Sequence, residues 1–213
     1  DLDDLHSIIY TSGTTGNPKG VMLTYGNHWW NAVGSSLNLG LHENDRWLVC
    51  VPLFHVSGLS ILMRSVIYGM TAVIHETFDP KEANRAIQED GVTMMSVVSA
   101  MLAQMVDVLD SGGYPDEFRC MLLGGGPAPK PLLERCKDKG VPVFQTYGLS
   151  ETASQIATLA PENMLNKLGS AGKPLFPSEL KIEQNGKTAL PGEVGEIVVR
   201  GPNVTKGYLN RKE

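Results

Sequence analysis

Cysteine is scarce and unpatterned. Cys50, Cys120 and Cys136 are odd in number and far apart, which speaks against a disulfide framework or a zinc site and suits buried thiols in a reducing compartment. Basic charge is in deficit too: 18 Lys and Arg stand against 23 Asp and Glu, for a net charge of −5. That balance carries no electrostatic footprint for nucleic acid or an anionic membrane surface. Long apolar runs are missing, because the most hydrophobic region, residues 58–74, is broken by Arg64 and by glycines; no membrane span is indicated. No basic-plus-apolar leader opens the chain, and there is neither an internal repeat nor a low-complexity segment. What remains is a chain of 213 residues, 42% hydrophobic and 19% charged, long enough for one large domain or two small ones. The expectation is a soluble cytoplasmic protein with no nucleic-acid partner and no membrane span; nothing in the sequence sets an oligomeric state. An initiator Met and a terminal signal are also lacking, so both ends read as cuts through a longer protein.

The richest local pattern is Tyr10-Thr11-Ser12-Gly13-Thr14-Thr15-Gly16-Asn17-Pro18-Lys19-Gly20-Val21. Hydroxyls, glycines and one lysine sit together between apolar flanks. Glycines let backbone N–H groups approach a ligand closely, successive N–H groups form an anion-binding concavity, and Lys19 adds charge. A cluster of this composition is often only a turn, but the donor density and the unopposed cation point to a phosphate loop. It is not the nucleotide-triphosphatase P-loop, since the sixth position from Gly13 is Pro18 where that motif has glycine.

Apolar segments of strand length alternate with helical patterns beyond it. Strands are expected at residues 5–10, 21–24, 46–51, 71–75, 92–98, 119–123 and 141–146. Helices are expected at 27–37 (capped by Asn27, with Trp30, Val33 and Leu37 on one face), 59–67, from Pro80, 101–109 and 131–139. Trp29 and Trp30 read as core anchors rather than ligand platforms. The strands lack in–out alternation, which means burial on both faces and a mostly parallel sheet covered by helices. After about Leu159 the texture changes to alternating strands, 180–183 and 196–200, with glycines and prolines between. The fold class is therefore α/β, an α/β subdomain over 1–160 followed by a smaller β-rich subdomain over 161–213.

Polar or glycine-rich clusters follow the strands directly: Thr11-Ser12, His55-Val56-Ser57-Gly58, Ser99, Gly124-Gly125-Gly126 and Gly148. In an open parallel sheet the ligand crevice lies at the carboxyl ends of the strands, so these clusters are expected on one edge. Within Gly148-Leu149-Ser150-Glu151-Thr152 a hydrolase elbow is broken, because Thr152 replaces its second glycine; Ser150 is a poor nucleophile. Glu151, an acid among hydroxyls beside a phosphate site, suits Mg²⁺ held by one carboxylate and substrate oxygens.

The stretch Tyr10 to Val21 resembles the signature loop of the adenylate-forming enzymes, the acyl-CoA synthetases, luciferases and adenylation domains of peptide synthetases. Gln145-Thr146-Tyr147-Gly148-Leu149-Ser150-Glu151-Thr152, Gly124-Gly125-Gly126-Pro127-Ala128 and Pro191-Gly192-Glu193-Val194-Gly195-Glu196 through Gly207-Tyr208-Leu209 resemble three further signatures, so the resemblance spans the chain. It implies a fragment of that family's large N-terminal domain, without its C-terminal lid, its Thr-Gly-Asp signature or the segment before the phosphate loop. It implies an ATP-dependent, AMP-forming acid–thiol ligase that joins a small-molecule carboxylate to ATP and then to CoA, with Mg²⁺ as cofactor.

By this resemblance Thr11, Ser12, Gly13, Thr14, Thr15, Gly16 and Lys19 cradle the phosphates, with Gly124, Gly125, Gly126, Thr146, Tyr147, Gly148 and Ser150 completing the nucleotide site. Tyr147 would stack on adenine, Ser150 would meet the phosphates and Glu151 would hold the metal. Lys19, His55 and Glu151 are the catalytic candidates, His55 as a positioning or gating residue. His55, Ser57, Arg64, Ser99 and Gly125 are the acid-binding candidates. Three stretches, residues 24–30, 51–64 and 150–156, narrow the resemblance to a branch whose acid carries two carboxylates. Arg64, an arginine in an apolar helix near His55, is then the expected partner of the carboxylate that does not react. A fragment lacking those family parts is expected to bind nucleotide weakly and turn over negligibly. The competing readings are a ligase for another acid, a non-catalytic nucleotide-binding module, and a serine hydrolase at Ser150.

Overall fold

The computed structural model describes residues 1–12 and 17–211; Gly13, Thr14, Thr15 and Gly16 of the phosphate loop lie outside the described residues. Two antiparallel strands, β1 (Leu5–Thr11) and β2 (Lys19–Thr24), form a ribbon of their own, with Thr11 opposite Lys19 at the loop. The main sheet has seven strands. Four run parallel in the order β4 (Thr71–Ile74), β3 (Arg46–Val49), β5 (Met94–Val97), β6 (Cys120–Leu123), and β7 (Val143–Leu149) joins them parallel to β6. Antiparallel β8 (Ser154–Leu159) and the short β9 (Lys173–Pro174) extend that edge. A separate antiparallel sheet holds β10 (Glu179–Gln184), β11 (Lys187–Thr188) and β12 (Glu196–Arg200).

The expected two-sided burial is what the core shows. Leu48, Met95, Val97, Met121 and Leu123 point to one face, where they meet α3 (Pro80–Gln88), α4 (Ser99–Val108) and α5 (Lys130–Asp138). Their neighbours Trp47, Val49, Met94, Cys120 and Leu122 point to the other, against Leu39 of α1 (Tyr25–Leu39) and Ile61 of α2 (Val56–Tyr68). Each fully buried aliphatic side chain of this kind is worth about 1.5–3 kcal/mol of transfer free energy, so a continuous apolar strand is stable only between two helical layers. At the amino ends of the strands, Arg119 Nε and Nη2 grip both Asp45 carboxylate oxygens at 2.8 and 2.5 Å, and Thr93 donates its hydroxyl to the same group at 3.0 Å. This stitches β3, β5 and β6 together at the edge away from their carboxyl ends.

Four expectations need correction. The cap of α1 is Thr24, whose hydroxyl accepts from the Asn27 N–H at 3.1 Å while Asn27 Oδ1 accepts from the Thr24 N–H at 2.9 Å; Asn27 is the third residue of a capping box, not the cap. The face of α1 that packs inward is small and polar (Gly26, Asn27, His28, Asn31, Ser35), whereas Trp29 is 41% and Leu37 67% exposed. Hydrophobic periodicity picked the outer stripe because the inner one is held by hydrogen bonds. Trp29 and half-buried Trp30 are not core anchors; Trp47, 1% exposed, is. Finally, the phosphate loop does not end a strand of the parallel sheet. It tips an independent ribbon, and β7 runs on through Gly148 before turning into its antiparallel partner.

Candidate active site

The ribbon is brought to the sheet by packing. Ile9, Val21 and Leu23 form a small core with Ala153, in the turn between β7 and β8, and with Val56 and Leu59 of α2. Residues 207–209 then add a rung to β2: the Met22 N–H donates to the Gly207 carbonyl at 3.0 Å and the Leu209 N–H to the Gly20 carbonyl at 2.8 Å. Between ribbon and turn lies a recess of about 440 Å³ lined by Thr11, Ser12, Lys19, Leu149, Ser150, Glu151 and Tyr208. An adjoining cleft of about 520 Å³ is lined by Gly125, Gly126, Thr146, Tyr147, Gly148 and Leu149, with Gly169–Ala171 and Ile197 across from them. Leu149 lines both. An apolar cleft flanked by Tyr147 thus shares a lining residue with a hydroxyl- and lysine-lined recess, a pairing that fits a nucleobase with its phosphates.

Close backbone approach shapes this junction. A Cβ on Gly148 would lie 2.0 Å from the Ser154 carbonyl oxygen, so only glycine lets β7 and β8 meet at the bulge there. Gly125 has φ of +79°, a left-handed conformation that glycine takes at no steric cost, and it turns the chain after β6 to put flat backbone along the cleft. The single helical turn Ser150–Thr152 is closed by Thr152, whose buried hydroxyl accepts from the Leu149 N–H at 2.9 Å. Thr152 therefore does structural work at the position where a hydrolase elbow needs glycine. Among the described residues no histidine bonds to Ser150.

Tyr208 is the site residue to which the sequence reading gave no role. Its hydroxyl donates to Glu151 Oε1 at 2.8 Å, and its ring centroid lies 4.9 Å from Lys19 Nζ. One side chain thus joins the cation of the phosphate loop to the acid of the turn. A Gly-Tyr pair nearly 200 residues from the loop gives no local signal of this. The oxygen donors converging here, the Glu151 carboxylate with the Thr11, Ser12 and Ser150 hydroxyls, are of the hard type that Mg²⁺ takes alongside phosphate oxygens, so the residues fit that ion.

The other candidates lie apart from these two cavities. His55 is exposed at the start of α2, its ring 4.5 Å from that of exposed Phe54, and Ser57 is exposed one residue into the helix. Gly124 follows β6 directly and Ser99 opens α4 two residues past β5, the Gly124 N–H donating to the Val97 carbonyl at 3.0 Å. Arg64 departs most from expectation. It follows His55 by nine residues, two and a half helical turns, so it faces the opposite way, and it is 1% exposed with its guanidinium over the Trp47 ring at 5.2 Å and bonded to Asn31 Oδ1 at 2.8 Å. It faces neither cavity.

The AMP-binding enzyme family matches residues 1–209. The chain belongs to that family. Among the AMP-binding enzymes it is 70% identical over 213 residues to a 2-succinylbenzoate–CoA ligase of Geobacillus kaustophilus (strain HTA426), covering all of this chain and 44% of that protein. The o-succinylbenzoate coenzyme A synthetase of Bacillus subtilis, solved in complex with ATP and magnesium ion, is 56% identical and superposes with a TM-score of 0.95 over 99% of this chain and 44% of its own. A fatty acyl CoA synthetase of Mycobacterium tuberculosis has the same fold at 31% identity, with a TM-score of 0.87 over 98% of this chain and 41% of that one. The chain therefore spans less than half the length of the curated relatives it matches. The α/β fold with a mostly parallel sheet is the fold of this family's solved N-terminal domains.

Proposed function

We propose that these residues are the nucleotide-binding part of an AMP-forming acid–CoA ligase that converts o-succinylbenzoate to o-succinylbenzoyl-CoA in the cytoplasm, for menaquinone biosynthesis. The observation that carries the reading is the shared wall at Leu149, which joins an aromatic cleft to a recess holding Lys19, Ser150 and Glu151. The high identity to ligases of this one acid supports the choice of substrate. The branch of the family marked by residues 24–30, 51–64 and 150–156 is this one.

In the first step a carboxylate oxygen of the acid bonds to the α-phosphorus of ATP while the bond to the β-phosphate oxygen breaks and pyrophosphate leaves. Catalysis here is chiefly positioning and charge neutralisation. Lys19 and the Thr11 and Ser12 hydroxyls draw the phosphate chain into the recess, Tyr147 lies along the base, and the Gly125 and Gly126 backbone forms the opposite wall. Glu151 would hold Mg²⁺, whose positive charge would offset that of the pyrophosphate as it leaves. In the second step the CoA sulfur bonds to the acyl carbon and AMP departs; exposed His55 gates the acyl side between the two. Gly13, Thr14, Thr15 and Gly16 complete the phosphate loop on this reading, Gly124 and Thr146 back the cleft, and Ser57 and Ser99 border the acid. The three-stranded sheet supports treating 161–213 as the beginning of a second subdomain after 1–160.

The test is pyrophosphate release by the full-length parent with ATP, Mg²⁺ and each of o-succinylbenzoate, benzoate, acetate and a medium-chain fatty acid. Release with o-succinylbenzoate alone is expected. Release with the fatty acid instead would keep the chemistry and discard the acid.

A further inference from the structure

Arg64 is a cation sealed in the interior, and among the described residues no carboxylate pairs with it. Its Nη2 donates to Asn31 Oδ1 at 2.8 Å, and Asn31 Nδ2 donates onward to the carbonyls of Gln155 at 2.8 Å and Thr152 at 3.2 Å. The Thr152 carbonyl receives a second donor, Asn203 Nδ2 at 3.0 Å, and Asn203 Oδ1 in turn accepts from the Ser178 hydroxyl at 2.7 Å. Arginine has donors only and carbonyls accept only, so these partners allow Asn31 a single amide orientation. The two carbonyls bracket Ala153 and Ser154, both at positive φ, +55° and +114°. Non-glycine residues hold such conformations only where the surroundings over-determine them. Two residues before Ala153, in the same turn, stands Glu151.

We propose that Arg64, acting through Asn31, is a positioning residue for the turn that presents Glu151: it fixes the Asn31 amide, which pins the Thr152 and Gln155 carbonyls and so aims the Glu151 carboxylate into the recess. The inference rests on the ligase reading above. It gives the buried cation a task in the metal–nucleotide half of the site, where the sequence pointed to the acid.

The variants separate position from packing. Arg64→Met keeps the stem and removes the donor, leaving Asn31 Oδ1 buried without a partner and the side chain free to shift. Asn31→Asp keeps an acceptor for Arg64, now with a counter-charge, but offers no donor to the two carbonyls. Arg64→Lys retains a cationic donor able to serve one acceptor. In the full-length parent, Arg64→Met and Asn31→Asp should raise the Mg²⁺ concentration for half-maximal ATP–pyrophosphate exchange about tenfold, a part of the roughly hundredfold that a misplacement of about 1 Å can cost. The KM for the acid should stay unchanged, and Arg64→Lys should return the Mg²⁺ dependence toward wild type. Hydrogen exchange of the amides over 150–155 should quicken in the first two variants. Wild-type Mg²⁺ dependence in both, whatever their melting temperatures, overturns the proposal, as does a rise confined to the acid's KM. A wild-type enzyme with no exchange on any acid removes the ligase reading, while unchanged amide exchange over 150–155 in the variants removes the clamp itself.

Discussion

On the proposed reading Glu151 and Tyr208, bonded to one another in the recess, have separate parts, and single substitutions can tell them apart. Glu151→Gln keeps size and loses charge, so adenylate formation should fall about a hundredfold or more, the scale on which removing one charge-stabilising group acts; a smaller loss that excess Mg²⁺ restores would place the ion elsewhere. Tyr208→Phe removes only the hydroxyl that donates to Glu151 and should weaken Mg²⁺ activation roughly tenfold, within the range of a hydrogen bond to a charged group. Tyr208→Ala should in addition raise the KM for ATP, because the ring beneath Lys19 goes with it. If Phe and Ala behave alike, the ring is idle. His28 sets the response to acid. Burial, then the charges of His6 and Arg64, pull its pKa from 6.5 down to about 4. As pH falls below 6.5 the unfolded chain takes up this proton before the folded one, so the stabilisation is complete above 6.5 and is lost toward pH 4, by up to about 3 kcal/mol. Burial alone would raise the Asp45 carboxyl, but its bonds to Arg119, His42 and Thr93 hold it below 3.8, so its own loss begins only at still lower pH. Urea unfolding at about pH 7 and about pH 4.5 should show a smaller difference for His28→Asn than for the wild type; equal differences would acquit the imidazole.

Elements were legible to the degree that burial, and not hydrogen bonding, decided them. Strands β3, β5 and β6 are apolar at every position but Arg46 and Ser96 because both their faces are covered, and a pattern of that kind survives in the sequence. Helix α3 announced itself through Pro80, with Asp79 accepting from the Lys81 and Glu82 N–H groups at 2.9 Å. Helix α1 misled, since its inner face is Asn27, His28, Asn31 and Ser35, residues that read as solvent-facing until the carbonyls that Asn27 and Asn31 reach, 121 to 177 positions away, are known. The phosphate loop and the Gly148–Thr152 turn were both legible as motifs, yet their meeting was not: the ribbon docks through tertiary contacts, not through the parallel-sheet rule that was used to gather them. The β7–β8 junction gives a direct test. Gly148→Ala would drive a methyl into the Ser154 carbonyl and should cost about 1–3 kcal/mol in chemical unfolding, together with nucleotide affinity. A variant as stable as wild type would show that the bulge can open without loss.

At the scale of the whole molecule, the described surface carries an apolar stripe along α1, where Tyr25, Trp29 and Leu37 are 48%, 41% and 67% exposed, and Val66 of α2 is 83% exposed. Patches of that kind on a chain studied by itself promote association. Expressed as these 213 residues, the protein should self-associate at high concentration, and Leu37→Lys with Val66→Lys should reduce that in sedimentation without lowering the unfolding midpoint; association unaffected by both would place the sticky surface elsewhere. The same isolated chain should bind ATP weakly and release little pyrophosphate, because it spans under half of its relatives' length.

The rung that residues 205–209 add to the ribbon has a temporal consequence. Thr205, which donates its hydroxyl to the Met22 carbonyl, is separated from it by 183 residues. At a synthesis rate of about 5–20 residues per second, the two are made roughly 10–40 s apart. The phosphate loop leaves the ribosome among the first segments of this stretch and gains its last supporting strand among the final ones. A nascent chain arrested before Tyr208 therefore has its glycine-rich loop but neither the ring under Lys19 nor the hydroxyl on Glu151.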